Sequence, residues 1–225
     1  MNKNRRLVIL GDSAFAEVAY QYFQFDSEYD VVAFAVESQY LSKKKLFDLP
    51  VLPLEELESY YAPVETYFFA ALVYTNLNRL RTRLYLNAVG RGYLPASYIS
   101  SKASIWPGVE IGNHAFIFED NTIQPFVKIG SNCILWSGNH IGHHSKIEDN
   151  CFVASHAVIS GFCTIGTNSF IGVNSTISNN VNIGPDNWIG IGATIIKDTV
   201  AGQLFKGPRS EPSNLSSLDF FRIKE

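Results

Sequence analysis

Every sixth residue from Ile99 to Ile195 is aliphatic: fifteen isoleucines, Leu135 and Val153, over seventeen consecutive positions with no insertion or deletion. Two further columns keep the same period. The residue after the aliphatic one is Gly at 112, 130, 142, 166, 172, 184 and 190. The residue two before it is mostly small, as at Ala103, Ala115, Cys133, Ser145, Cys151, Ala157, Cys163, Ser169, Ser175 and Ala193. A hexapeptide period of this kind describes a parallel β-helix, in which each six residues supply one short strand and one corner. Three hexapeptides close one triangular coil of 18 residues, and successive coils stack at about 4.8 Å. The aliphatic column fills the axis, and the small column lets each corner close on it.

This register gives the three cysteines a structural role. Cys133, Cys151 and Cys163 all fall in the small inward column. They are an odd number, so no disulfide framework is expected. Asn121 and Asn139 occupy the same column 18 residues apart and predict a buried amide ladder. The net charge of −3 argues against nucleic acid or an acidic membrane surface as a standing partner. The N-terminus has basic residues followed by only four apolar ones, and no long apolar run occurs, so a cytoplasmic protein is expected.

Ahead of the repeat the pattern changes to alternating strand and helix. RRLVILG reads as a strand, DSAFAEVAYQYFQF as a helix capped by Asp12 or Ser13, and YDVVAFAVES as a second strand ending at Glu37. A further strand is expected over 66–74 and a helix after it. The alternation predicts a small Rossmann-like α/β domain. The expected organisation is therefore 1–94 as the α/β domain, 95–200 as the β-helix and 201–225 as a C-terminal cap or tail. The glycine fingerprint of a dinucleotide fold needs Gly at 11, 13 and 16, and the chain has Gly11, Ser13 and Ala16. A full dinucleotide is not expected. The helix N-terminus behind a Gly-Asp-Ser turn remains suited to a phosphate or sugar hydroxyl, and Glu37 to a ribose or base. A domain with no ligand is the alternative.

Three of the five histidines, His140, His143 and His144, lie within five residues. In the repeat register His143 and His144 fall on a corner and His140 on a flat face. The 18-residue step stacks Pro107, Pro125, His143, Gly161 and Asn179 on one edge, while His156 lies on another. Three readings are open: a zinc site, solvated side chains, or a general base. Zinc needs three converging ligands, and adjacent corner histidines are expected to point apart, so no metal is expected. A neutral imidazole beside another subunit suits proton transfer near neutral pH.

The combination of VILGDSAFAEVAY, VVAFAVES, SYISSKASI and IGHHSKIEDNCFVASHAVISGFCTIGTNSFIGVNSTI resembles the bacterial nucleotide-sugar acetyltransferases, over nearly the whole chain. These include the UDP-4-amino-sugar and GDP-perosamine N-acetyltransferases and the enzymes described as sialic acid O-acetyltransferases. The resemblance implies a left-handed β-helix, an exception to right-handed crossovers, assembled as a homotrimer with active sites between subunits. It implies acetyl-CoA as co-substrate and a nucleotide-linked amino-sugar as acceptor, in surface glycan (O-antigen) biosynthesis, with O-acetylation or a non-catalytic sugar-nucleotide binder as alternatives. It places the base at His143, with His144 where relatives carry the Asp or Glu that orients the base. It maps acetyl-CoA contacts to Gly161, Val173 and Ile191, with the Gly161 N–H at the oxyanion, and puts Phe152 where relatives have a CoA-contacting histidine. Sugar-nucleotide contacts map to Gly11, Asp12, Ser13, Ala14, Phe15, Glu37 and Ser38, and approximately to Val73 or Tyr74.

Outward aromatic residues beside the inward column, namely Phe116, Phe118, Trp136, Phe152, Phe170 and Trp188, need a cover. The register contains no inserted loop, so a neighbouring subunit is the expected one. The tail, ending in Phe220 and Phe221, is expected to cap the last coil or reach a partner.

Overall fold

The computed structural model describes residues 3–223, so residues 1–2 of the expected 1–94 segment and 224–225 of the expected 201–225 segment lie outside the described residues. The N-terminal part is a sheet flanked by helices. Strands β1 (Arg5–Leu10), β2 (Tyr29–Val36), β3 (Lys45–Leu46), β4 (Leu49–Pro53), β5 (Tyr67–Ala70) and β6 (Leu94–Pro95) lie in the order β3-β4-β2-β1-β5-β6. All pairings are parallel except β3 with β4. Helix α1 (Ala14–Phe25) connects β1 to β2, and α2 (Arg79–Gly90) connects β5 to β6. Central strands β1, β2 and β5 are short apolar runs buried at both faces, as a parallel sheet requires.

From Tyr98 onward the chain is a three-sided solenoid. Face one carries Tyr98–Ile99, Phe116–Ile117, Ile134–Leu135, Phe152–Val153, Phe170–Ile171, Trp188–Ile189 and Leu204–Phe205. Face two carries Ser104–Ile105 through Thr194–Ile195, and face three Glu110–Ile111 through Asn182–Ile183. Paired strands are 18 residues apart, as at Phe116 with Ile134 and His140 with Val158. The repeat isoleucines from Ile117 to Ile195 form one axial core with Cys133, Cys151 and Cys163, which are free and buried. The glycine column abuts the next coil: a β-carbon at Gly142 would stand 2.5 Å from the Gly161 nitrogen. Corner residues three after the aliphatic one adopt left-handed φ from His114 (60°) to Asp186 (61°). Asn, Asp and His tolerate that conformation better than other side chains with a β-carbon. Asn121 and Asn139 are buried, but each amide donates to main-chain carbonyls, Asn121 to Phe118 and Trp136 and Asn139 to Trp136, rather than to its neighbour's side chain.

The expected subunit cover of the aromatic face is corrected by the structure. Outward positions on face one are Tyr98, Phe116, Ile134, Phe152, Phe170 and Trp188, while faces two and three present Ser, Thr, His, Val, Lys, Glu and Asn. The chain's own α/β domain lies on face one. Phe15, Tyr22, Phe23 and Phe69 of that domain pack on Phe116, Phe118 and Trp136, with ring centroids 4.5–6.4 Å apart within this cluster. Phe116, Phe118 and Phe152 are buried as a result. Each such ring contributes about 1.5–3 kcal/mol on leaving water, so this interface fixes the two parts as one body. Leu204–Phe205 adds one strand to face one, two residues out of the 18-residue step, and the segment beyond Gly207 is exposed through Phe220 and Phe221.

A polar network fastens α2 to the corner between faces three and one. The buried Arg81 guanidinium donates to the carbonyls of Leu72, Val73, Asn132, Asn150 and Cys151 and to the Asn78 and Asn132 side chains. Burial lowers its pKa to about 10, which leaves it charged at neutral pH. His114 accepts the Ala70 N–H at Nε2 (2.9 Å), so its Nδ1 carries the proton and donates to Asn132 Oδ1 (2.9 Å). Burial pushes the His114 pKa down to about 3. A protonated ring would turn a second N–H onto the Ala70 donor. Below pH 6.5 the unfolded chain binds a proton that the folded one refuses, so stability falls as pH drops. Urea unfolding is expected to show about 3 kcal/mol more loss between pH ~6.5 and ~4 in the wild type than in His114→Gln. Equal losses in both would contradict this assignment.

Candidate functional site

His143 sits at the corner between faces two and three, opposite the face that the α/β domain covers. The corner is held by main-chain and side-chain bonds: the His143 N–H donates to Gln124 Oε1 (2.9 Å) and the His144 N–H to the Pro125 carbonyl (3.1 Å). In the coil above, Gly161 leaves room for the imidazole; a β-carbon there would stand 3.0 Å from Cε1 and Nε2 of His143. The expectation that His143 and His144 point apart is corrected. Their Nδ1 atoms lie 3.1 Å apart, within hydrogen-bond distance, because left-handed φ at His144 turns its ring back toward its neighbour. The Gly161 N–H is not free for an oxyanion as the chain stands: it donates to Asn179 Oδ1 (2.9 Å).

The residues mapped to a sugar nucleotide divide into two groups. Gly11, Asp12, Ser13 and Glu37 line a 180 Å³ cavity with Ala35, Val36, Tyr40, Leu54, Leu72, Leu80 and Leu84. Its walls are mainly apolar, and the N-terminus of α1 opens onto it. Glu37 stands at the rim in a two-point pair with Arg83 (2.9 and 2.8 Å), and that bonding holds its carboxyl below the usual range. Ser38 is tied to the Glu55 carboxylate through its N–H and hydroxyl. Ala14 begins α1 and is exposed. The Phe15 side chain is turned away into the aromatic interface, so only its backbone belongs to the turn. Tyr74 packs on Phe152, Phe170 and Trp188 and lines a second cavity of 350 Å³ with Val73, Trp136, Ala154, Ser155 and Val173.

The candidate acetyl-CoA positions also divide. Gly161 shares the His143 corner, whereas Val173 and the exposed Ile191 lie at the corner between faces one and two, beside the 350 Å³ cavity. One chain therefore places His143 at one corner and the 350 Å³ cavity beside another, and brings His143 to none of the cavity residues. Trp106, Phe126 and Phe162, at the His143 corner, are 60%, 65% and 52% exposed.

Several contacts escaped the sequence reading. Gln124 could have been found by stepping 18 residues back from His143 and one residue aside, whereas Asn179 was expected on that edge and only its bond to the Gly161 N–H was not. Phe126 and Phe162 are visible as the residues 18 before and 18 after His144. Arg83 carried no local signal, because its partner Glu37 lies 46 residues away on another element. No group of three or more His, Cys, Asp or Glu among the described residues is placed to hold a metal ion. No helix among them is long and apolar enough to cross a membrane.

Residues 108–143 and 144–179 match the bacterial transferase hexapeptide (six repeats) model. No curated protein sequence matches the chain significantly. Among solved structures, the acetyltransferase domain of PglB from Neisseria gonorrhoeae is similar, with TM-score 0.81 at 20% identity, covering 93% of this chain and 100% of that one. Perosamine N-acetyltransferase from Caulobacter crescentus, a histidine-to-asparagine variant in complex with CoA and GDP-perosamine, gives 0.81 at 22% identity, covering 89% and 93%. WeeI from Acinetobacter baumannii gives 0.71 at 22% identity, covering 91% and 97%. The shared fold is a small α/β domain followed by a left-handed parallel β-helix.

Proposed function

We propose that the protein is an acetyl-CoA-dependent N-acetyltransferase acting on the amino group of a nucleotide-linked amino-sugar, of the 4-amino-4,6-dideoxy type, with its active site built between copies of the chain in a homotrimer. The observation that carries this reading is the presence, in one chain, of two recesses at the Gly11–Ser13 turn and at Val73 and Tyr74 together with a histidine at an open β-helix corner. Leu72 lines the first cavity, and Val73 and Tyr74 line the second. A nucleotide in the first would lead its sugar along this segment into the second. The amine lone pair attacks the thioester carbonyl, His143 takes the amine proton at Nε2, and the proton passes to the departing CoA thiolate. Proton transfer of this kind contributes about 10²–10⁴-fold.

The separation of His143 from the recess within one chain supports an intersubunit site, as does the exposure of Trp106, Phe126 and Phe162 around His143. Closed threefold assembly would bring one chain's His143 corner to its neighbour's recess. Complementation tests this arrangement. His143→Ala chains lack the base, and Ser13→Trp chains carry a blocked recess. Each alone is expected to be inactive in thiol release from acetyl-CoA with a nucleotide-linked 4-amino-sugar. Random mixed trimers should recover about one quarter of wild-type activity, since a quarter of the interfaces pair an intact recess with an intact His143. No recovery on mixing would place each site within a single chain.

A further inference from the structure

We propose that His144 is a positioning residue, clamped between Phe126 and Phe162, that fixes the tautomer of His143. The inference rests on the acetyl-transfer reading for the direction of the shared proton and for its catalytic consequence, but not for the contact itself. Two neutral imidazoles whose Nδ1 atoms lie 3.1 Å apart share one proton: one ring donates and the other accepts. The Nε2 side of His143 lies over Gly161, where no side chain intrudes. A base acting at Nε2 must carry its own proton on Nδ1, and that N–H needs an acceptor. His144 Nδ1 is placed to be that acceptor, and His144 then carries its proton on Nε2.

The clamp is visible in the corner residues. Fifteen corners at six-residue steps from Gly108 to Gly192 have positive φ. Thirteen of them are Gly, Asn, Asp or His, which accept that conformation. The two exceptions are Phe126 (φ 66°) and Phe162 (φ 58°), and they are the corners directly below and above His144. A phenylalanine in this region is strained by about 1–2 kcal/mol. Neither belongs to a hydrophobic core, and both rings are half-exposed or more. They meet the His144 ring instead, Phe126 at 4.5 Å and Phe162 at 4.8 Å with planes only 18° apart. Phe162 also meets the His143 ring edge-on at 5.0 Å. Two strained aromatic residues therefore hold one imidazole, and that imidazole holds the base. As the amine nitrogen bonds to the acetyl carbon, His143 Nε2 gains the proton and its Nδ1–H bond to His144 becomes charge-assisted. When the C–S bond breaks, the thiolate takes the proton and the pair returns to its starting state.

Two substitutions separate the ring from the acceptor. His144→Phe keeps the stack and removes the acceptor. His144→Asn removes the stack but places Oδ1 where Nδ1 was, on a residue that tolerates left-handed φ. Long-range ¹⁵N NMR of the histidine-labelled full chain should show His143 protonated at Nδ1 in the wild type and in His144→Asn. In His144→Phe the proton should shift to Nε2. In turnover, His144→Phe should lose about 10²-fold in kcat with KM for acetyl-CoA unchanged, and His144→Asn should stay within about threefold of wild type. An unchanged tautomer in His144→Phe, or equal damage in both variants, would overturn the proposal. If the tautomers behave as expected but the wild type transfers no acetyl group, the functional reading fails and the positioning role stands.

Discussion

Replacing His143 by alanine or asparagine is expected to lower kcat by about 10²–10⁴-fold, the contribution of a placed general base. The attacking amine becomes cationic as the N–C bond forms, so the intermediate reverts unless a proton leaves. Nothing else at the corner can take it: Gln124 and Asn179 are amides already bonded to the His143 and Gly161 N–H groups, and Gly161 has no side chain. His144 Nδ1 faces His143 rather than the open space over Gly161. KM for acetyl-CoA should change little, because the imidazole deals with the reacting proton and not with the body of the co-substrate. Loss of less than tenfold would remove His143 from the reaction.

The second large effect is on stability. Arg81→Ala is expected to cost about 3–5 kcal/mol in urea unfolding, through a cavity and several buried oxygens stripped of their donor. The opposing term is the desolvation of a charge that no carboxylate partners, the guanidinium being bonded only to carbonyl and amide oxygens. Arg81→Met decides between the two, since it fills the volume without charge or donors. Burial has lowered the Arg81 pKa to about 10, so the site disfavours the charge relative to water yet leaves it in place at neutral pH; because removing the guanidinium strands the buried oxygens it serves, Arg81→Met should also destabilise. A methionine variant as stable as wild type would show that desolvation cancels the bonds, as it does for some buried ion pairs.

The repeat was legible because it is local: each coil makes the same demand on the same six-residue window, and one period predicts the strands, the corner and the His143 stack. What pairs distant segments was not. The cover of Phe116, Phe152 and Trp188 was assigned to a neighbour because the repeat has no loop of its own, yet the α/β domain supplies it. The clue was present every 18 residues, since outward aromatics recur on one face while the other two carry polar and β-branched residues. His114 and Arg81 carry no motif, and the main-chain partners that tie them across the fold, the Ala70 N–H for His114 and the Asn132, Asn150 and Cys151 carbonyls for Arg81, lie 44 and 51–70 residues away. Strands β3 and β4, at the β3 end of the sheet, are short and sit in a proline-broken stretch, where alternation has no room to show. At the site, chain adjacency suggested that His143 and His144 diverge. Left-handed φ at His144 reverses that, and the phenylalanines above and below it hold the result.

The most direct test of the central claim incubates the protein with acetyl-CoA and a panel of UDP-, dTDP- and GDP-linked 4-amino-sugars, scoring thiol release against product mass. The account predicts stoichiometric thiol release with at least one sugar nucleotide, a product heavier by one acetyl group carried as an amide, and loss of both with His143→Ala. Acetylation of a sugar hydroxyl with the amine left free, or no transfer to any member while a sugar nucleotide still binds, would contradict it.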